Sequence, residues 1–147
     1  TLTVAYSLGL DLFVAHVGDS RAYLYREGRL QHITRDHTVA QHLADRGDIS
    51  QEDVETHPKR HFLTSVVGGG VELAGNDVHH LHLQLGDAVV VCTDGLTGVV
   101  RDEEIAEILR SAPSCDDACE SLVALTLERG APDNVTVIVA RYSTLNS

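Results

Sequence analysis

Ala88-Val89-Val90-Val91-Cys92-Thr93-Asp94-Gly95 is the stretch on which the reading of the fold turns. Its first five residues are apolar and rich in β-branched valine, the composition of a buried strand. Gly86-Asp87, just before it, is a turn signal. The run stops at a carboxylate and a glycine. A charge at the end of a buried strand is costly unless something pairs with it. Two readings are open on this stretch. Either Asp94 meets a metal ion or a phosphate site while Gly95 lets the backbone turn beside it, or Asp94-Gly95 is an ordinary turn after a strand.

Two other stretches bring a carboxylate to a strand end. Residues 12–17, Leu-Phe-Val-Ala-His-Val, form a second strand that runs into Gly18-Asp19-Ser20-Arg21. Ala131-Pro132-Asp133-Asn134 is a loop that opens onto a last strand over residues 135–139. Further strands are expected over residues 2–8, 22–26, 29–33 and 78–83, with Glu27-Gly28 as a hairpin turn. Short strands joined by tight turns imply antiparallel sheets. Thr38 can cap a helix to about residue 46, stopped by Gly47, and Ser50 starts a short helix over residues 51–56. The polar run to Arg60 and His61 has no period, so about residues 36–62 read as a mobile surface segment. Gly68-Gly69-Gly70 is a flexible break. After the central strand, Asp102 caps a helix over residues 103–110, and a second helix covers about residues 116–129.

The 147 residues suit one domain, with no apolar run long enough to span a membrane. The formal charge of −11 argues against nucleic acid or anionic lipid as a partner, since both need excess Lys and Arg. Cys92 reads as a core residue, and Cys115 and Cys119 have no nearby His or Cys to complete a zinc site. No disulfide framework is expected, in keeping with a cytoplasmic setting. His80 and His82 can in principle bind metal, but a solvent-facing strand surface explains them with fewer assumptions. The chain starts at Thr1 and has no Met, so it reads as a piece whose upstream neighbour is unseen. Asp19, Asp94 and Asp133 thus stand at comparable places. Hard divalent ions such as Mg²⁺ and Mn²⁺ take oxygen ligands, and activated water is then the simplest chemistry available. Three unrelated turn aspartates are the other reading.

Phe13-Val14-Ala15-His16-Val17-Gly18-Asp19-Ser20-Arg21, Thr34-Arg35-Asp36-His37, Cys92-Thr93-Asp94-Gly95-Leu96 and Pro132-Asp133-Asn134-Val135-Thr136 occur in that order. Together they resemble the metal-dependent serine/threonine protein phosphatases of the type-2C family, over nearly the whole chain. Residues 39–62 resemble the flap of the bacterial members. The resemblance implies an α+β fold of two packed antiparallel β-sheets flanked by helices, an α-β-β-α sandwich with its N-terminal strands missing here. It implies hydrolysis of phosphoserine and phosphothreonine in proteins, by a water or hydroxide bridging two Mn²⁺ or Mg²⁺ ions. Asp94 and Asp133 match carboxylates of the dinuclear centre, and Asp19 matches a ligand of a third, weaker metal that Asp94 would share. Asn134 and Gly95 look like support residues. Gly18, Ser20 and Arg21 would hold the loop that aims Asp19, and Asp36 and His37 would fix the base of the flap at about 38–62. A cognate serine/threonine kinase and a signalling role follow from the same resemblance.

The departures matter too. The family's phosphate-binding Arg, its bridging Asp-Gly pair and its proposed acid His have no counterpart in this chain, which looks like roughly the last three-fifths of a catalytic domain. Ser65 stands where bacterial members often have Arg. As a piece, the chain is expected to be inactive by itself. The alternative to a phosphatase is a non-catalytic phosphatase-like module that binds or regulates partners, although retention of all three aspartates favours the enzyme.

Overall fold

A computed structural model describes residues 1–68 and 77–143. Gly69 and Gly70 of the glycine run lie outside the described residues. The strands are β1 (Leu2–Leu8), β2 (Asp11–Val17), β3 (Arg21–Arg26), β4 (Arg29–His32), β5 (Val78–His82), β6 (Ala88–Cys92) and β7 (Val137–Arg141). They form two antiparallel sheets, one in the order β1-β2-β5 and one in the order β4-β3-β6-β7. The helices are α1 (Val39–Asp45), α2 (Asp94–Thr97), α3 (Asp102–Ser111) and α4 (Cys115–Glu128), with a 3-10 turn at Gln51–Thr56. The fold class is the expected one.

The unbroken apolar run of β6 has a simple cause: both its faces are covered. Val89 joins Leu12, Val14, Ala22, Leu24 and Leu83 in a core between the two sheets. Val90 and Cys92 point the other way, into a second core with Leu96, Ile105, Leu109, Ala118 and Leu122. A strand buried on both sides has no reason to alternate. Burial pushes the Cys92 thiol up to about 12, so it is an inert core group. All three cysteines are free.

Helices α3 and α4 pack on the outer face of the four-stranded sheet. The described residues leave the outer face of the other sheet in solvent. Leu2, Val4, Tyr6 and Leu8 stand on it opposite Val17, Ala15, Phe13 and Asp11, and all four are exposed.

Of the boundaries that differ from expectation, two have a clear physical cause. Helix α3 begins at Asp102 with Arg101 as its N-cap. The Asp102 carboxylate is taken by the Tyr23 hydroxyl at 3.1 Å, and Glu104 reaches back instead to accept the Arg101 N–H at 3.0 Å. Strand β7 starts two residues later than the sequence implies, because Val135-Thr136 belongs to a tether described below. Other caps are as read: Thr38 Oγ1 accepts from Gln41 N–H at 3.2 Å, and Ser50 forms a capping box with Asp53.

His32 on β4 stacks on Tyr23 at 4.8 Å, and its Nε2 meets Thr34 Oγ1 at 3.1 Å. Its pKa is pushed down from 6.5 to about 4, by burial first and by the Arg21 charge second. Between those values the unfolded chain binds a proton that the folded chain rejects. Stability therefore falls as pH drops from about 6.5 toward 4. Burial lowers the pKa of His16 as well, with the same sign. The urea midpoint at about pH 5 is expected to lie below that at about pH 7, and His32→Phe should narrow the gap while keeping the stack on Tyr23. Equal midpoints in the unmodified chain would contradict this.

Candidate active site

Asp19 enters from the turn after β2. Gly18 holds φ at +117°, and a Cβ there would strike Thr1 Cγ2 at 2.2 Å, so no side chain fits. His37 grips this glycine from both sides. Its N–H donates to Gly18 O at 2.7 Å, and Gly18 N–H donates to His37 Nδ1 at 3.2 Å. An accepting Nδ1 leaves the ring proton on Nε2, which donates to Asp77 Oδ2 at 2.5 Å. His37 O accepts the Thr64 N–H at 2.8 Å, and Val39 N–H donates to Phe62 O at 2.8 Å. One residue thus joins the Asp19 turn, the base of the 38–62 excursion and the start of β5.

Arg21 and Asp36 add a second brace. Arg21 Nε donates to Asp36 Oδ1 at 3.0 Å and to Oδ2 at 3.1 Å, and Nη2 donates to Oδ2 at 2.7 Å. Ser20 Oγ lies 3.1 Å from Thr1 Oγ1, and Ser20 O accepts from the Thr3 hydroxyl at 3.2 Å. Gly18, Ser20, Arg21, Asp36 and His37 are thus joined by hydrogen bonds around the turn that carries Asp19.

Asp94 is no hairpin turn. It opens helix α2, with its carbonyl accepting the Gly98 N–H at 2.7 Å. Its side chain is about one-third exposed, and His61 Nδ1 lies 4.0 Å from its Oδ2. Asp19 and Asp94 line one cleft of about 290 Å³, together with Arg21 and Asp36, Arg60 and His61 from the excursion, and Arg101. Burial first, and the Asp94 charge second, raise the Asp19 pKa above the ordinary carboxylate value.

Asp133 does not line that cleft, but its loop is locked to the end of β6. A Cβ on Gly95 would stand 2.2 Å from Asn134 O, so the glycine admits the close approach of the two backbones. Asp133 Oδ1 accepts the Asn134 N–H at 2.7 Å. Among the described residues no three His, Cys, Asp or Glu side chains converge closely enough to enclose an ion. The donor set itself is oxygen only. It suits a hard divalent cation with positions left for water and further ligands.

His80 and His82 stand on the exposed surface of β5. Both turn to Asp11, at 2.8 and 3.7 Å, and the His80 ring stacks on Phe13 at 4.6 Å. Sequence reading missed Arg60, His61, Arg101 and Thr93. The first two lie in a segment without period, and the third masquerades as a helix flank. Thr93 offered one cue, a hydroxyl residue between strand and carboxylate.

Residues 1–43 match the model of the family described as protein phosphatase 2C. The serine/threonine protein phosphatase PstP of Mycobacterium tuberculosis is 39% identical over 144 residues, which cover 95% of this chain and 27% of that protein. The solved catalytic domain of PstP in complex with two manganese ions superposes with a TM-score of 0.80 at 37% identity, over 95% of this chain and 56% of that one. The serine/threonine phosphatase Stp1 from Staphylococcus aureus superposes with a TM-score of 0.88 at 33% identity, over 96% of this chain and 55% of that one. The fold is that of these solved serine/threonine phosphatases. The chain belongs to the protein phosphatase 2C family. It spans 27% of the curated mycobacterial relative and just over half of these two solved chains.

Proposed function

We propose that this chain contributes the Asp19, Asp94 and Asp133 portion of the active site of a metal-dependent phosphatase that hydrolyses phosphoserine and phosphothreonine in proteins. The observation that carries the reading is the juxtaposition of two carboxylates in one cleft, with the Asp133 loop fixed beside the second of them. Asp94 and Asp133 are the residues that would hold Mn²⁺ or Mg²⁺ tightly, and Asp19 with Asp94 would hold a further, weaker ion. When bound, such ions supply Lewis acidity and neutralise charge at the phosphoryl group. The chain's own part is to aim these oxygens. Arg60 and Arg101 place positive charge around the cleft, which attracts a phosphorylated segment to an otherwise acidic chain. Residues 38–62 act as a flap over that entrance. Substrates of this kind are the products of serine/threonine kinases, which places the protein in cytoplasmic signalling.

The test uses the complete protein, a phosphothreonine peptide and Mn²⁺. Phosphate release is expected only with the metal. Asp19→Ala should lower turnover on the order of 100-fold while calorimetry finds the tight Mn²⁺ sites retained. Turnover near that of the unmodified protein in Asp19→Ala would remove Asp19 from the site, and metal-independent release would overturn the reading as a whole.

A further inference from the structure

The ladder between β6 and β7 ends where Cys92 faces Val137. Beyond that pair the strands are joined through a side chain. Thr93 N–H still donates to Thr136 O at 3.1 Å, as a ladder would have it. The return bond is different. Thr93 O accepts the Leu96 N–H at 3.1 Å, because α2 begins there. That carbonyl is therefore diverted from the sheet. The Thr136 N–H donates instead to Thr93 Oγ1 at 3.0 Å, and the Thr93 hydroxyl donates onward to Asn134 O at 3.2 Å. The hydroxyl stands in for a backbone carbonyl and gains a second contact in doing so. Asn134 O is then held from two sides, by the Thr93 hydroxyl and by contact with Gly95, where even a Cβ would be excluded.

Thr93 and Gly95 flank Asp94, and the carbonyl they hold belongs to the residue after Asp133. We propose that Thr93 is a positioning residue: its hydroxyl fixes the separation of the Asp94 and Asp133 carboxylates and so sets their joint affinity for a divalent cation. This rests on the reading of those two aspartates as cation ligands. Thr93 itself touches neither ion nor substrate. Its effect passes through the peptide on either side, where a shift of a few tenths of an ångström changes the fit of two oxygens to one centre.

Thr93→Val keeps the shape of the side chain and removes both hydrogen bonds. Thr136 and Asn134 are exposed, so water takes up the freed groups and the fold survives. Mn²⁺ affinity, measured by calorimetry on the metal-free complete protein, is expected to fall about 10- to 100-fold, the range typical of residues that orient ligands. Thr93→Ser retains the hydroxyl and should bind Mn²⁺ like the unmodified protein. Should Thr93→Val fail to fold, Thr93→Cys, whose sulfur is a weak acceptor, takes its place. A purely structural role would lower the unfolding temperature and leave affinity unchanged well below it. Unchanged affinity in the folded Val or Cys variant overturns the proposal, as does a Ser variant as weak as the Val one. Asp94→Asn and Asp133→Asn are titrated alongside. If they lose Mn²⁺ while Thr93→Val does not, the positioning role fails and the ligands stand. If neither loses Mn²⁺, the ligand assignment fails and takes the proposal with it.

Discussion

Asp94→Asn in the complete protein is expected to lower phosphopeptide turnover by more than about 100-fold, beyond what loss of a residue that merely orients a ligand costs. The same change should leave the metal-free protein as stable as before, or more stable. The reason lies in what the side chain does without a metal. Among the described residues its carboxylate makes no hydrogen bond, and His61 Nδ1 stands 4.0 Å away. The contacts that build α2 and the Asn134 lock come from its backbone and its neighbours. What the charge does contribute is repulsion, felt at Asp19. Asparagine removes that repulsion and keeps the shape. A fall in activity with a level or raised unfolding temperature marks a functional carboxylate kept at some expense to the fold. A steep drop in unfolding temperature of the metal-free variant would assign Asp94 to structure instead.

The second large effect is on stability. Arg21→Met is expected to destabilise the fold by about 3–5 kcal/mol, the range for stripping one partner from a buried ion pair. The side chains of Arg21 and Asp36 are 16% and 10% exposed, and the guanidinium holds the carboxylate with three contacts. Burial disfavours the Arg21 charge, yet the bonds to Asp36 outweigh it and hold the guanidinium pKa above its usual range. Without Arg21, Asp36 is a nearly buried charge with nothing opposite. Arg21→Met with Asp36→Leu should recover much of the loss, because the cost is the orphaned charge rather than the missing bond. Urea unfolding of the two single variants and the double closes the cycle. A loss below about 1 kcal/mol in Arg21→Met, or a double variant as unstable as the sum of the singles, would contradict this account.

The elements legible in the sequence are those set by local pattern. The Val89-Val90-Val91 run announces a buried strand, Thr38 and Ser50 announce helix starts, and Gly95 announces that the backbone turns beside Asp94. The carboxylates themselves stand out because a charge at the end of a buried strand needs a reason. What stayed hidden depends on partners far away in the chain. Asp102 looks like a cap until Tyr23, from a distant strand, takes its carboxylate. Val135 and Thr136 look like strand until Thr93 borrows them. His80 and His82 read as a solvent-facing strand surface, and only the register of β2 sets Asp11 beside them. His37 and Asp77 meet across 40 residues with no pattern to link them. Periodicity records which face a residue shows, and only the folded register records whom it meets.

Thr93 and Asn134 lie 41 residues apart, and the two helices of the outer layer fill the gap. Nothing local brings Asp133 to Asp94. The meeting requires closure of that long loop and then the pairing of β7, the last described strand. A product truncated ahead of Asp133 would keep most of both cores and yet lack one of the two carboxylates altogether. Assembly of the site is in this sense all-or-none: a ligand that needs both residues binds the finished molecule, never its partly folded forms. By mass action such a ligand shifts the equilibrium toward completion, by about 2.7 kcal/mol at a hundred times its dissociation constant. On the proposal made for Thr93, a single hydroxyl at the seam between strand and loop would make occupancy of the site a gauge of whether the chain has finished folding.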